Sequence, residues 1–172
     1  MSDITVTLNV SGGYNGDLYA YLGYNGVLVP LLNRIGVSAS NPSGASGAGL
    51  NVTLADWGTV ANGYNGNIHA AGNGVLSGTW QADGQNLSPL SAPASFNPIG
   101  GSITLDGTFQ HVNPNGTWTL FFSDVSAGGG MSTVNGWSLN ISSVPEPVTV
   151  ALAAFGAVAA VIRLFSWVRS RC

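Results

Sequence analysis

The sequence has little charge and no lysine. Only 6% of its 172 residues are Asp, Glu, Lys or Arg, against a typical share near 25%. Without lysine, Walker-type phosphate loops and Schiff-base chemistry are excluded. The remaining charges divide unevenly: the part up to Ser143 has a net charge of −5, and the part beyond it +2. An acidic body does not displace counterions from a phosphate backbone, so we expect no nucleic-acid partner.

Cysteine and sustained helical periodicity are also nearly absent. The single cysteine is the last residue, Cys172, so no disulfide forms within one chain. No stretch before Ser143 repeats apolar residues at the spacing of a helix. A composition with 45% hydrophobic residues and five tryptophans nevertheless argues against disorder, and we expect a folded core.

The sequence does contain a repeated strand pattern. Residues 4–10 alternate apolar and polar side chains, as in a strand with one buried face, and the alternation returns at residues 18–22, 50–54, 118–122 and 137–141. Asn-Gly pairs, which favour hairpin turns, begin at Asn15, Asn25, Asn62, Asn65, Asn73, Asn115 and Asn135. Together these features predict an all-β fold, a jelly-roll-like β-sandwich over residues 1–143.

A long apolar run near the C-terminus predicts one transmembrane helix over residues 148–168. Its 21 residues would rise about 31 Å as a helix, enough for a hydrocarbon core of roughly 30 Å. Arg163 lies close enough to the end for its side chain to reach the headgroups. Arg169 and Arg171, in the basic end 169–172, orient the C-terminus toward the cytoplasm. The acidic body is then expected on the far side of the membrane.

The four residues before this run, Val144, Pro145, Glu146 and Pro147, include the only glutamate of the chain. The prolines hold the backbone extended and display one carboxylate at the membrane edge. Pro-Glu-Pro, an apolar helix and terminal arginines, in that order, resemble the PEP-CTERM sorting signal of Gram-negative bacteria. The resemblance implies export, an inner-membrane intermediate, processing by an exosortase, and release to the cell surface or the extracellular space. Since Met1 leads directly into a strand pattern, we expect the native signal peptide and first strand to be missing.

The body resembles the P domain of kexin- and furin-type proprotein convertases, in its stand-alone bacterial form. The resemblance covers about residues 4–143 and is carried by residues 11–22 (SGGYNGDLYAYL), 30–34 (PLLNR), 78–84 (GTWQADG), 115–124 (NGTWTLFFSD) and 135–141 (NGWSLNI). It implies a jelly-roll sandwich that performs no chemistry of its own. The protease domain that P domains accompany in convertases is not present in this sequence.

The residues suited to catalysis or metal binding are few. His69 and His111 lie in turn-rich segments, and we interpret both as exposed loop residues, so no catalytic residues and no cofactor are predicted. A structural calcium ion is the one ion we consider, because carboxylates and loop carbonyls are its usual ligands. The candidates are Asp17, Asp83 and Asp124, each beside Gly or Asn or at a strand end; ordinary turn chemistry is the alternative.

Three function classes stay open from the sequence. The first is a non-enzymatic exported surface or matrix protein, structural or adhesive in an exopolysaccharide or biofilm setting. The second is a carbohydrate- or peptide-binding module whose aromatic face is built from tyrosines: Tyr19 and Tyr21, with Tyr14, Tyr24 and Tyr64 of three Gly-Tyr-Asn-Gly repeats. The third is an accessory P domain for a separate subtilisin-like protease.

Overall fold

The computed structural model describes residues 3–58 and 66–142, which belong to one compact unit. Its strands are β1 (Asp3–Ser11), β2 (Leu18–Tyr24), β3 (Val27–Asn33), β4 (Leu50–Leu54), β5 (Leu76–Trp80), β6 (Thr119–Asp124) and β7 (Thr133–Ser142). They form a four-stranded sheet in the order β5-β4-β1-β7 and a three-stranded sheet in the order β3-β2-β6. Helix within these residues is limited to α1 (Leu105–Phe109) and three short 3-10 turns. The predicted all-β class is confirmed.

The strand alternation read from the sequence corresponds to β1, β2, β4, β6 and β7. In β1 the apolar residues Ile4, Val6 and Leu8 are wholly buried, and the intervening polar residues face outward. β1 pairs antiparallel with both β4 and β7, and β2 pairs antiparallel with both β3 and β6. The central strands of the two sheets therefore supply the middle of one shared core, in a β-sandwich-like arrangement.

Two strands and one helix were not predicted from alternation. β3 reads as a nearly continuous apolar run interrupted by Pro30, and a register shift between Ala20 and Tyr21 accommodates this edge strand. β5 contains Gly78 at φ +91° and pairs parallel with β4. α1 is only five residues long, and its N-cap Thr104 accepts a hydrogen bond from the backbone N–H of Gly107. Such short or irregular elements carry too little periodicity to be recognised.

The Asn-Gly pairs are not uniformly hairpin turns, so that interpretation was wrong for most of those described. Asn25 and Gly26 do join β2 to β3, both at positive φ (49° and 78°), as a two-residue turn requires. Asn15 instead begins a 3-10 turn, and Asn135 lies within β7. Asn73 and Asn115 lie in longer loops. Most sheet-to-sheet connections here are long loops rather than tight turns.

The core is closed around β1 and β2 and more open toward β6 and β7. Trp137 and Val134 of β7 pair with the buried residues Leu8 and Val10, so their side chains are on the inward face of the sheet. Trp137 is nevertheless 42% exposed and Val134 37%. The inward side chains of β6 are also only partly buried. Within the described residues, β6 and β7 are edge strands of their sheets on this side.

The predicted C-terminal features lie outside the described residues: the motif from Val144 to Pro147, the helix over 148–168, and the arginines Arg163, Arg169 and Arg171. In the part of the chain that the structure describes, no helix has the length and apolarity needed to span a membrane.

Candidate functional site

The outer face of the three-stranded sheet carries a cluster of aromatic side chains, of which Phe121 is exposed and Tyr19 and Tyr21 are half-buried. Tyr19 and Tyr21 of β2 alternate with the buried residues Leu18, Ala20 and Leu22, so strand geometry directs the two tyrosines away from the core. Phe121 lies opposite Tyr21 on β6 and faces the same way, with 41% of its surface exposed. We call Tyr19, Tyr21 and Phe121 the aromatic face.

The rings of the aromatic face contact one another in two geometries. Tyr21 and Phe121 are stacked with their centroids 4.9 Å apart and an interplanar angle of 11°. Tyr19 meets both of them edge to face, at 6.0 Å from Tyr21 and 6.1 Å from Phe121. Both arrangements are favourable for aromatic quadrupoles and hold the rings in place before any ligand arrives.

An open cavity of about 240 Å³ adjoins the aromatic face where β2 turns into β3. Its lining includes Tyr21, Gly23, Leu28, Asn25, Thr117 and Thr119. Gly23 faces outward between Leu28 and Thr119, its pairing partners on the two neighbouring strands. With no side chain at Gly23, the sheet surface has a depression at this point; a Cβ there would lie 3.0 Å from the Leu28 side chain.

The aromatic face and the cavity carry no charged side chain among the residues described here. Arg34, the only cation of the acidic body besides histidine, donates from Nε to the carbonyl of Gly16. Burial, together with Tyr21, raises the pKa of the Tyr19 phenol, so this hydroxyl is neutral at physiological pH. The site is therefore polar at its hydroxyl and amide groups but electrically neutral.

Among the calcium candidates, Asp17 and Asp124 are brought together and Asp83 is not. Leu18 pairs with Asp124 across β2 and β6, and the Asp17 carbonyl accepts from the Val125 backbone N–H at 2.9 Å. Burial, followed by the nearby Asp124, raises the pKa of the Asp17 carboxyl. Two carboxylates fall short of the six to eight oxygens calcium takes. No cluster of three or more His, Cys, Asp or Glu occurs in the described residues.

Asp83 forms a buried pair with His69, which makes the interpretation of His69 as an exposed loop residue wrong. Both side chains are completely buried, with Nδ1 of His69 2.7 Å from Oδ2 of Asp83. Nε2 of His69 lies 2.9 Å from the Val37 carbonyl oxygen, and Phe96 stacks on the ring. His111, by contrast, is exposed as expected.

The His69 ring faces acceptors at both nitrogens, so only the doubly protonated imidazolium can donate to both. Burial acts to lower the pKa of His69, but the Asp83 carboxylate and the Val37 carbonyl outweigh it, and the pKa is raised. Asp83 also accepts from the backbone N–H groups of Asn33 and Gln85. All these partners are internal to the fold, and no hydroxyl nucleophile is among them. The pair therefore connects the loop that contains Asp83 to β3.

Not all the tyrosines named from the sequence belong to the aromatic face. Tyr24 is buried against Trp118, with its hydroxyl donating to the carbonyl of Asn113 at 2.6 Å. Tyr14 is exposed in a separate loop, and Tyr64 lies outside the described residues. Phe121 was missed, although its place between Leu120 and Phe122 in an alternating strand would have indicated an outward-facing aromatic residue.

Comparison of the chain with protein-family models, with curated proteins and with solved structures finds no match in any of the three.

Proposed function

We propose that this chain is a non-enzymatic, exported protein of the bacterial cell surface or extracellular matrix that binds exopolysaccharide through its aromatic face. The observation that carries the proposal is the preformed cluster of Tyr19, Tyr21 and Phe121 on the outer, partly exposed face of the sheet. Aromatic clusters that keep part of their ring surface in solvent can serve as binding surfaces, because a partner that covers this apolar surface removes it from water.

A polysaccharide is the partner whose chemistry fits this surface best. A pyranose ring presents C–H groups on its faces and hydroxyls around its rim. The C–H face can pack on a flat aromatic ring, and the rim can exchange hydrogen bonds with the Tyr19 and Tyr21 hydroxyls, neither of which has a protein partner among the described residues. A strongly charged protein is a poorer fit, because this face has no charged side chain to complement it.

Delivery to the matrix is the second part of the proposal. We assign residues 144–172 as a PEP-CTERM tail that an exosortase processes and residues 1–143 as a jelly-roll sandwich of the P-domain type. The motif Val144–Pro147, the apolar run 148–168 and the arginines at 163, 169 and 171 support this assignment. The membrane is then a transient partner, occupied before processing.

Binding is tested by co-sedimentation of the full chain with insoluble neutral polysaccharides, in a detergent without a sugar headgroup. We expect retention that Phe121→Ala reduces by about fivefold or more, as the loss of one stacking ring implies. Tyr14→Ala, an exposed tyrosine away from the face, is the matched control and should bind normally. Equal retention of wild type and Phe121→Ala on every polysaccharide would exclude the aromatic face as the binding surface.

Sorting is tested by expressing the chain behind an export leader in a bacterium that has an exosortase. We expect the extracellular product to lack Arg171, and Glu146→Ala to leave an uncleaved, membrane-associated form. Mass spectrometry of the C-terminus reads out both results. Secretion of a product that still carries Arg171 would overturn the sorting assignment without affecting the binding proposal.

A further inference from the structure

We propose that the cavity beside the aromatic face is a second sugar subsite, so that the site takes two consecutive residues of an uncharged glycan. This inference rests on the proposed polysaccharide binding and specifies its ligand. One sugar residue stacks on Tyr21 and Phe121, and the next enters the cavity next to Asn25, Thr117 and Thr119.

The cavity and the stacked rings form one continuous surface. Tyr21 belongs to both, since it stacks on Phe121 and also lines the cavity. On β6, Phe121 and Thr119 project from the same face of the strand two residues apart, a rise of roughly 7 Å. A sugar chain that lies along β6 therefore passes from the rings to the cavity without leaving the protein surface.

The polar side chains that line the cavity are available to form hydrogen bonds with a ligand. The side chains of Asn25, Thr117 and Thr119 are exposed and make no hydrogen bond within the described part of the chain. A threonine hydroxyl both donates and accepts, and an amide offers both functions as well, which matches the vicinal hydroxyls of a sugar. The volume of about 240 Å³ equals roughly eight water molecules at ~30 Å³ each, so the depression has room for a single sugar residue.

Charge points to an uncharged glycan rather than an acidic one. The body has a net charge of −5 and contains no lysine. Its one arginine, Arg34, is bonded to a backbone carbonyl, and neither it nor a histidine lines the cavity. A uronate or sulfate group would therefore approach an acidic protein without a cation to receive it.

The inference is tested by titration calorimetry of the full chain with a neutral gluco-oligosaccharide series from one to six residues, and with an alginate oligosaccharide as the acidic probe. We expect affinity to rise from the monosaccharide to the disaccharide by about tenfold. The second residue adds contacts, whereas the overall translational and rotational freedom of the ligand is lost only once. The acidic probe should bind at least about tenfold more weakly than a neutral oligosaccharide of equal length.

Variants separate the two subsites. Thr119→Val and Asn25→Gly remove polar groups from the cavity, and each should lower disaccharide affinity about fivefold while leaving monosaccharide binding unchanged. Glycine suits the positive φ of Asn25, so the turn is retained. Thr133→Val, an exposed threonine on β7 of the other sheet, is the matched control.

The outcomes distinguish the two proposals. If Phe121→Ala abolishes binding but Thr119→Val and Asn25→Gly change no affinity in the series, the cavity is not a subsite and the proposed function stands. If no oligosaccharide binds and no variant matters, both proposals fail. Tighter binding of the acidic probe than of neutral sugars would overturn the inferred ligand class.

Discussion

Asp83 and Asp17 are both buried carboxyl groups, but their partners differ in charge. Asp83 faces the His69 imidazole and two backbone N–H donors, so its negative charge is compensated inside the fold. Asp17 lies near a second carboxylate, Asp124, and Arg34 is the cation that opposes this repulsion among the residues described. Because its charge is compensated, Asp83 helps to hold the fold together. The ionised Asp17 carboxylate, in contrast, reduces the stability of the fold.

Asp17→Asn should therefore stabilise the protein at neutral pH. The pKa of Asp17 is raised by burial and then by Asp124. A raised carboxyl pKa favours folding below the ordinary value of 3.8, and this contribution is lost as pH rises through the folded-state pKa. Urea unfolding at pH 7 should show a higher midpoint for Asp17→Asn than for wild type, with the difference shrinking toward pH 4.

The half-exposed Asp3→Asn is the control for this comparison, and at pH 7 its midpoint should change less than that of Asp17→Asn. A lower midpoint for Asp17→Asn at pH 7 would mean that the Asp17 carboxylate is stabilised by a group that binds it in solution, a calcium ion among them. Repeating the measurement with a chelator identifies that case.

The His69–Asp83 pair should make stability fall at alkaline pH. The folded-state pKa of His69 is raised above its ordinary value of 6.5. The pair's contribution is complete below that value and is lost as pH rises through the folded-state pKa. Denaturant unfolding between pH 6 and pH 10 should therefore show decreasing stability in wild type.

Asp83→Asn should cost about 3 kcal/mol or more at pH 6, because it leaves a buried imidazole without its counter-charge. It should also abolish the alkaline decrease. The exposed His111→Asn variant is the control and should keep wild-type stability and the alkaline decrease, because asparagine tolerates the positive φ (67°) of this position. An alkaline decrease that survives in Asp83→Asn would assign the effect to another group.

At the scale of the element, two copies of one tetrapeptide adopt different structures. Gly23–Gly26 closes the β2–β3 hairpin, with Asn25 exposed at φ +49°. Gly13–Gly16 leads into a 3-10 turn in which Asn15 is wholly buried and donates to the carbonyls of Gly49 and Gly74. The hairpin copy is held by its own turn geometry, and the other copy by loops that are distant in sequence.

Substitutions in the two copies should separate these causes. Asn25→Ala should cost roughly 1 kcal/mol, because alanine tolerates the left-handed conformation poorly, whereas Asn25→Gly should be nearly neutral. Asn15→Ala should cost about 1–3 kcal/mol, because it removes the buried amide that donates to the Gly49 and Gly74 carbonyls, and Asn15→Gly should not restore the loss. Thermal unfolding of the four variants measures this. Rescue of position 15 by glycine would assign its effect to backbone strain.

The elements predicted from the sequence are those whose own residues determine their structure. Residues 4–10 alternate because one face of β1 lies against the core, and Asn25-Gly26 meets the dihedral demands of a tight turn. The strand β5 and the buried state of His69 depend instead on partners far along the chain, β4 and Asp83. For the aromatic face, alternation could indicate which side chains point outward, but not that β6 would lie beside β2.

On the scale of the whole molecule, the core is unevenly enclosed. Two wholly buried rows, on β1 and β2, lie at its centre, and the segment around Asp83 covers the outer edge of β3 by donating from its backbone N–H to the Leu31 carbonyl. The inward residues of β6 and β7 have less cover, as the 42% exposure of Trp137 indicates. Burial free energy per residue is therefore smaller along that side of the sandwich.

This asymmetry sets the order in which parts of the domain open. Amide protons of β1, β2 and β4 should exchange with deuterium only on near-global unfolding. Those of β6 and β7 should exchange through local opening that leaves the other strands folded. Peptide-level mass spectrometry of the native protein would resolve this ranking. Because β6 carries Phe121 and Thr119, glycan added during labelling should slow exchange in β6 and not in β7, which couples occupancy of the outer surface to one of the two less protected strands.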